Sequence, residues 1–186
     1  MDKSERIPVG RVGTLVVANA SAVIGAFAFA AVTAMHLPAR YPSHFNAAGQ
    51  PDRWSEAGGA GWYFMPIFAL GMAVAMIALA LLLPRVPIGL VNIPRKEEFL
   101  RLSVADRTPI IQYLIRYLLW LSLADTLLFV SIQWMMYRSA VDVRVGGTWV
   151  IPLVASTIYA VGLIWGIVRI YRMVREATDR LPSRSG

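Results

Sequence analysis

The chain has 186 residues, 57% of them hydrophobic and only 16% charged, where ordinary soluble domains carry roughly a quarter charged residues. Its net charge is +7 and its isoelectric point is near 10.2, and it has no cysteine, which excludes a disulfide framework, a thiolate metal site, a cysteine nucleophile and cysteine-held iron–sulfur clusters. Stretches 12–39, 57–84 and 145–168 contain no charged residue, and each exceeds the roughly 20 residues that cross a bilayer's hydrocarbon core. An all-α integral membrane protein is expected, because lipid offers no partner to an unpaired backbone group.

The first span is placed at 12–36. Its basic start and the small-residue run Val32-Thr33-Ala34 imitate a cleaved signal peptide, but the apolar stretch is longer than the core of such a signal. Asn19 is a polar residue within it, and Ser21 and Gly25 are small residues four apart that let another helix approach closely. Whether that face packs within the chain or against another protein is open at this point.

Segment 37–60 is the loop between spans one and two. Pro38 and Pro42 enforce an extended path, Asn46 and Gly49 supply turn conformations, and Pro51-Asp52 suggests a second bend, so a small ordered lid over the bundle mouth is expected. The pattern Pro42-x-His44-Phe45-Asn46-x-x-Gly49-x-x-Asp52-x-Trp54 resembles the membrane family catalogued as domain of unknown function 1648. That family includes the amino-terminal part of bacterial immunity proteins that protect against a sporulation-delaying toxin. Where many relatives continue after the tryptophan with Gly or Ser and a lysine, this chain has Ser55-Glu56, and the extra helical domain of the immunity proteins is not expected here. The resemblance implies a bacterial membrane protein and supplies no catalytic residue.

The second span is placed at 61–83, stopped by Pro84 and Pro87. Beyond it, segment 92–108 is expected to lie along the headgroups as an amphipathic piece. Asn92 and Pro94 would open a short helix with Lys96, Glu97 and Glu98 on one side and Phe99, Leu100 and Leu102 on the other. Asn92 to Leu100 also looks like a second block of the same family. Ser103-Val-Ala-Asp106 has capping-box-like spacing, but Thr108 before Pro109 is the expected N-cap of the third span.

That span, 109–137, is interrupted by Arg116 and Asp125, nine residues apart and so on opposite helix faces. Asp125 near mid-span calls for a partner. Counting along antiparallel helices at about 1.5 Å per residue sets it level with Ser156 and Thr157 of the fourth span, with Tyr159 nearby. It is either a protonated structural residue or part of a proton or ion path. Arg116 falls near the depth of Asn19 or snorkels to headgroups. The fourth span, 148–171, carries Gly162 and Gly166, a second small-residue pair. Trp54, Trp62, Trp149, Tyr63 and Tyr137 are expected to form an interfacial belt.

These spans cover a little over half of the chain and predict one four-helix bundle. Fourteen of the 18 Lys and Arg residues fall on the side shared by the N-terminus, the second loop and the C-terminus; Arg40, Arg53, Arg138 and Arg144 fall on the other. Basic residues are retained inside, so both termini are expected in the cytoplasm of a bacterial inner membrane. Topology thereby accounts for the positive charge, and no nucleic-acid partner is expected.

The two histidines, His36 and His44, could join Asp52 and Glu56 as metal ligands, although their spacing matches no metal motif. The alternative for His44 is a hydrogen bond to Asp52 within the loop. No phosphate-binding loop, nucleophile elbow or metalloprotease motif is present, so no enzyme and no cofactor are expected. The expected function is noncatalytic contact with another membrane protein, as a sensor or immunity-like protein. The rivals are an accessory subunit of a larger, possibly energy-transducing complex, and a small transporter or metal-dependent membrane enzyme.

Overall fold

The computed structural model describes residues 12–142 and 149–181. Lys3, Arg6, Arg11, Arg144 and Arg184 of the charge count, and Thr148 of the fourth predicted span, lie outside the described residues. The elements run α1 (Gly13–Ala34), β1 (Arg40–Phe45), β2 (Pro51–Glu56), α2 (Phe64–Leu82), α3 (Lys96–Arg101), α4 (Val104–Val141) and α5 (Val150–Thr178). Short 3-10 turns occupy Ala60–Tyr63, Leu83–Arg85 and Ile88–Leu90. Among the described residues, four helices are long and apolar enough to cross a membrane: α1, α2 with its flanking turns, α4 and α5.

The bundle is not symmetric. Helix α4 is its hub and packs on α1, α2 and α5, whereas α5 rests chiefly on α4 and, near its C-terminal end, on α3. Accordingly only 11% of the most apolar window of α5 is buried within the chain, against 22–28% for the other three. The 38 residues of α4 make a rod about 57 Å long at 1.5 Å per residue, longer than a hydrocarbon core of about 30 Å.

Three expectations are corrected here. The segment between α1 and α2 is not helix and loop alone. Its strands form an antiparallel hairpin in which Arg40 faces Glu56, Tyr41 faces Ser55 and Pro42 faces Trp54. Pro42 and Pro51 are tolerated because a two-stranded ribbon has free edges where a missing N–H costs nothing.

Helix α4 begins at Ser103, not Thr108. The Ser103 hydroxyl accepts from the Asp106 amide at 3.2 Å, so the capping-box spacing is the true start. Pro109 sits inside the helix, and Thr108 turns its hydroxyl to Val104 O at 2.7 Å. A proline this near the start forfeits a single ladder bond, Pro109 N to the Ala105 carbonyl, and the helix runs on.

The amphipathic segment starts at Arg95, not at Asn92 or Pro94, and its apolar side does not lie free. Phe99 and Leu102 are buried in a cluster with Ile93, Ile110, Ile111 and Val174, while Leu100 alone is exposed. This cluster closes the end of the bundle remote from the hairpin. Arg95, in the left-handed region at φ 51°, reaches across to Asp179 beyond α5 at 2.5 Å. Asp179 also faces Arg175 at 3.5 Å.

The hydrogen bond from Arg95, assisted by the positive charge of Arg175, holds the Asp179 carboxyl below its ordinary range. The contribution of this clip is therefore complete above the unfolded carboxyl value near 3.9 and is lost as pH falls through the lowered folded value. Asp179→Asn is expected to lower the melting temperature in detergent at pH 7. The gap to the parent should close on acidification below about pH 4; a pH-independent gap contradicts the ionic clip.

Candidate functional site

The hairpin is built from the motif residues, and they divide by role. Asn46 makes the turn. Its side-chain oxygen accepts from the amides of Ala48 and Gln50 at 2.9 and 3.0 Å, and its carbonyl accepts from Gly49 N at 2.9 Å. Gly49 adopts φ +74°, and a Cβ there would stand 2.8 Å from the Trp149 ring. A glycine is needed on both counts, and the ring of Trp149 seats the turn against the start of α5. Pro42 is fully buried and Phe45 packs half-buried beneath the hairpin.

The remaining motif residues face outward. His44 Nδ1 and Asp52 Oδ1 are 2.5 Å apart, with the side chains 53% and 41% exposed. The carboxylate can only accept, so the ring nitrogen donates. Trp54 is 46% exposed. This arrangement ties the two strands together across the turn and leaves polar and aromatic side chains exposed on the hairpin.

Beneath the hairpin lies a set of contacts that sequence reasoning missed. Trp62 is 2% exposed and does not belong to an interfacial belt. Its indole N–H donates to Ala30 O at 2.9 Å, and Tyr41 meets its ring edge-on at 5.0 Å and 79°. Gln133 donates from Nε2 to Trp62 O at 3.0 Å. Burial pushes the Tyr41 phenol up from its ordinary value, partly offset by a hydrogen bond with Ser55. Gln133 was the visible signal: a lone amide in the apolar run of α4, which could only be satisfied internally. Trp54 and Trp149 remain exposed, and Tyr63 and Tyr137 pack against the Trp62 cluster.

The candidate metal ligands do not converge. His36 Nδ1 lies 3.0 Å from Val32 O on its own helix, and His44 is engaged with Asp52. Among the described residues no group of three or more His, Cys, Asp or Glu side chains could hold a metal ion.

Within the bundle, Asn19 donates from Nδ2 to Leu15 O at 2.8 Å and to Leu119 O at 3.0 Å, joining α1 to α4. Asp125 is buried, and its Oδ2 has no hydrogen-bond partner among the described residues. The expected partners turn elsewhere. Ser156 bonds Pro152 O at 2.7 Å and Thr157 bonds Leu153 O at 2.9 Å, the back-bonding that hydroxyls adopt in helices. Arg116 is exposed on the opposite face.

The small-residue pairs also divide. Gly166 is buried, and any Cβ there would overlap the Tyr117 ring, so it packs α5 on α4 within the chain. At Gly25 and Gly162 a Cβ would meet nothing within 4 Å, and these two glycines and Ser21 are exposed.

No curated protein and no solved structure matches the chain. Residues 22–70, which run from α1 through the hairpin into α2, match the family described as Domain of unknown function (DUF1648), the family that the hairpin motif resembles.

Proposed function

We propose that this is a noncatalytic, multi-pass protein of the bacterial cytoplasmic membrane that works by contact with another membrane protein. Both termini are inside and the hairpin is outside. The distribution of basic residues, fourteen against four, supports that orientation. One observation carries the functional reading: the hairpin is fixed from below by Tyr41, Trp62 and Trp149 and presents His44, Asp52 and Trp54 outward. A rigid exposed aromatic on a pinned ribbon is what a docking surface needs, because little entropy is lost on binding. The resemblance of the hairpin motif to a family that includes membrane immunity proteins supports a sensing or protective role.

A photo-crosslinker at position 54 in intact cells is expected to capture a second membrane protein; lipid adducts alone contradict the reading. The exposed Ser21 and Gly25 face favours a second form of it, an accessory subunit of a larger complex. Purification in mild detergent separates the two. A partner at constant stoichiometry marks the subunit, and a monomer or homodimer marks the sensor. Asp125→Asn is expected to leave stability and any deletion phenotype unchanged. Loss of function there would move the reading to a small transporter, and a function abolished by a chelator would move it to a metal-dependent enzyme.

A further inference from the structure

Between α4 and α5 runs a groove of about 520 Å³. Trp120 and Trp165 form its rims, Tyr113 and Tyr117 one wall, and Gly162 opens its floor, where no atom lies within 4 Å of a Cβ position. Tyr117 holds its wall in place by donating to Leu163 O at 2.9 Å and stacking parallel on Tyr113, at 6.3 Å and 5°. The groove is not purely apolar. Arg116 lines it, and Arg169, four residues after Trp165 and seven after Gly162, falls on the same exposed face of α5.

Side chains on a helix lean toward its N-terminus. Since α4 and α5 run in opposite directions, Arg116 and Arg169 lean toward each other at the groove's basic end. Neither has an ion-pair partner among the described residues. The Asn19–Leu119 bond registers α1 against α4. On that register Arg116 sits about 5 Å above the level of Gly13, at 1.5 Å per residue. That is within reach of the headgroup layer for an arginine side chain.

We propose that this groove seats one anionic phospholipid, its phosphate between Arg116 and Arg169 and an acyl chain over Gly162 between Trp120 and Trp165. The proposal rests on the membrane reading above. Two unpaired guanidinium groups at the headgroup end of an apolar channel complement a molecule with one anionic head and one apolar tail.

The test uses the full chain reconstituted in phosphatidylcholine vesicles, with trace spin-labelled phosphatidylglycerol or phosphatidylcholine as the probe. The immobilised component of the spectrum is read for each. Phosphatidylglycerol is expected to associate about fivefold more strongly, less so in high salt. The double variant Arg116→Gln, Arg169→Gln should bring the two lipids to equality. Gly162→Leu, which fills open space, should remove the preference without touching either charge. Equal association in the parent chain overturns the proposal while leaving the membrane reading intact. Equal association together with a dimer on sizing puts a second copy of the chain in the groove instead. A chain that immobilises no lipid at all overturns both the proposal and the membrane reading.

Discussion

Trp62→Ala should be the most damaging single change at the hairpin end, costing about 3–5 kcal/mol, the range for truncating a buried large aromatic. The indole fills the space among Ala30, Tyr41 and Met136, and its N–H bond to Ala30 O ties the base of the hairpin to α1. Removing it leaves a cavity and strips Tyr41 of its edge-on partner, so that only the bond from Gln133 to the residue-62 carbonyl still holds this corner to α4. The hairpin should then open, and trypsin should cut at Arg40 and Arg53 much faster in detergent-solubilised protein. Trp62→Phe keeps most of the ring and loses only the hydrogen bond, for about 1 kcal/mol. Trp54→Ala, an exposed site, should stay within about 0.5 kcal/mol. If both tryptophans were interfacial anchors, the two alanine variants would melt alike.

Gly166→Ala should destabilise the α4–α5 contact by about 2 kcal/mol, the middle of the range for overpacking a closed interface. The added methyl overlaps the Tyr117 ring. The ring can move only by breaking its bond to Leu163 O, and α5 rests chiefly on α4. Gly162→Ala, one helical turn away, meets open space and should be neutral or slightly stabilising, since alanine is the better helix former. Melting temperatures of the two variants in the same detergent check this directly. Equal losses would mean that both glycines are packed, and equal neutrality would mean that α5 is not docked through Tyr117.

Three of the four apolar helices were legible because missing charges are a composition signal that no tertiary context can hide, and α4 was legible from the apolar runs on either side of Arg116 and Asp125. The turn at Asn46 and Gly49 was legible for a similar reason, since its chemistry is local. The strands on either side were not. Each has six residues, and β2 is exposed on both faces except at Ser55, so no alternating pattern marks it.

Trp62 and Trp54 look alike in sequence. What separates them is a carbonyl on α1 and a ring on β1, which come together only in the folded chain. Depth along the helices sets Asp125 level with Ser156 and Thr157 but leaves rotation about the axis open. A hydroxyl at the right level can still turn to its own backbone. Ser103 was visible as a cap, but the Thr108-Pro109 pair competed with it. A proline near a helix start does not fix which residue begins the helix.

On the proposed topology, four crossings put the hairpin and the Arg95 segment on opposite sides of the membrane. The chain has no cysteine, so Asp52→Cys and Arg95→Cys each introduce a single reporter. On intact right-side-out vesicles, a membrane-impermeant maleimide should label position 52 at once and position 95 only after permeabilisation. Labelling of both positions from the same side of a sealed vesicle would contradict the account.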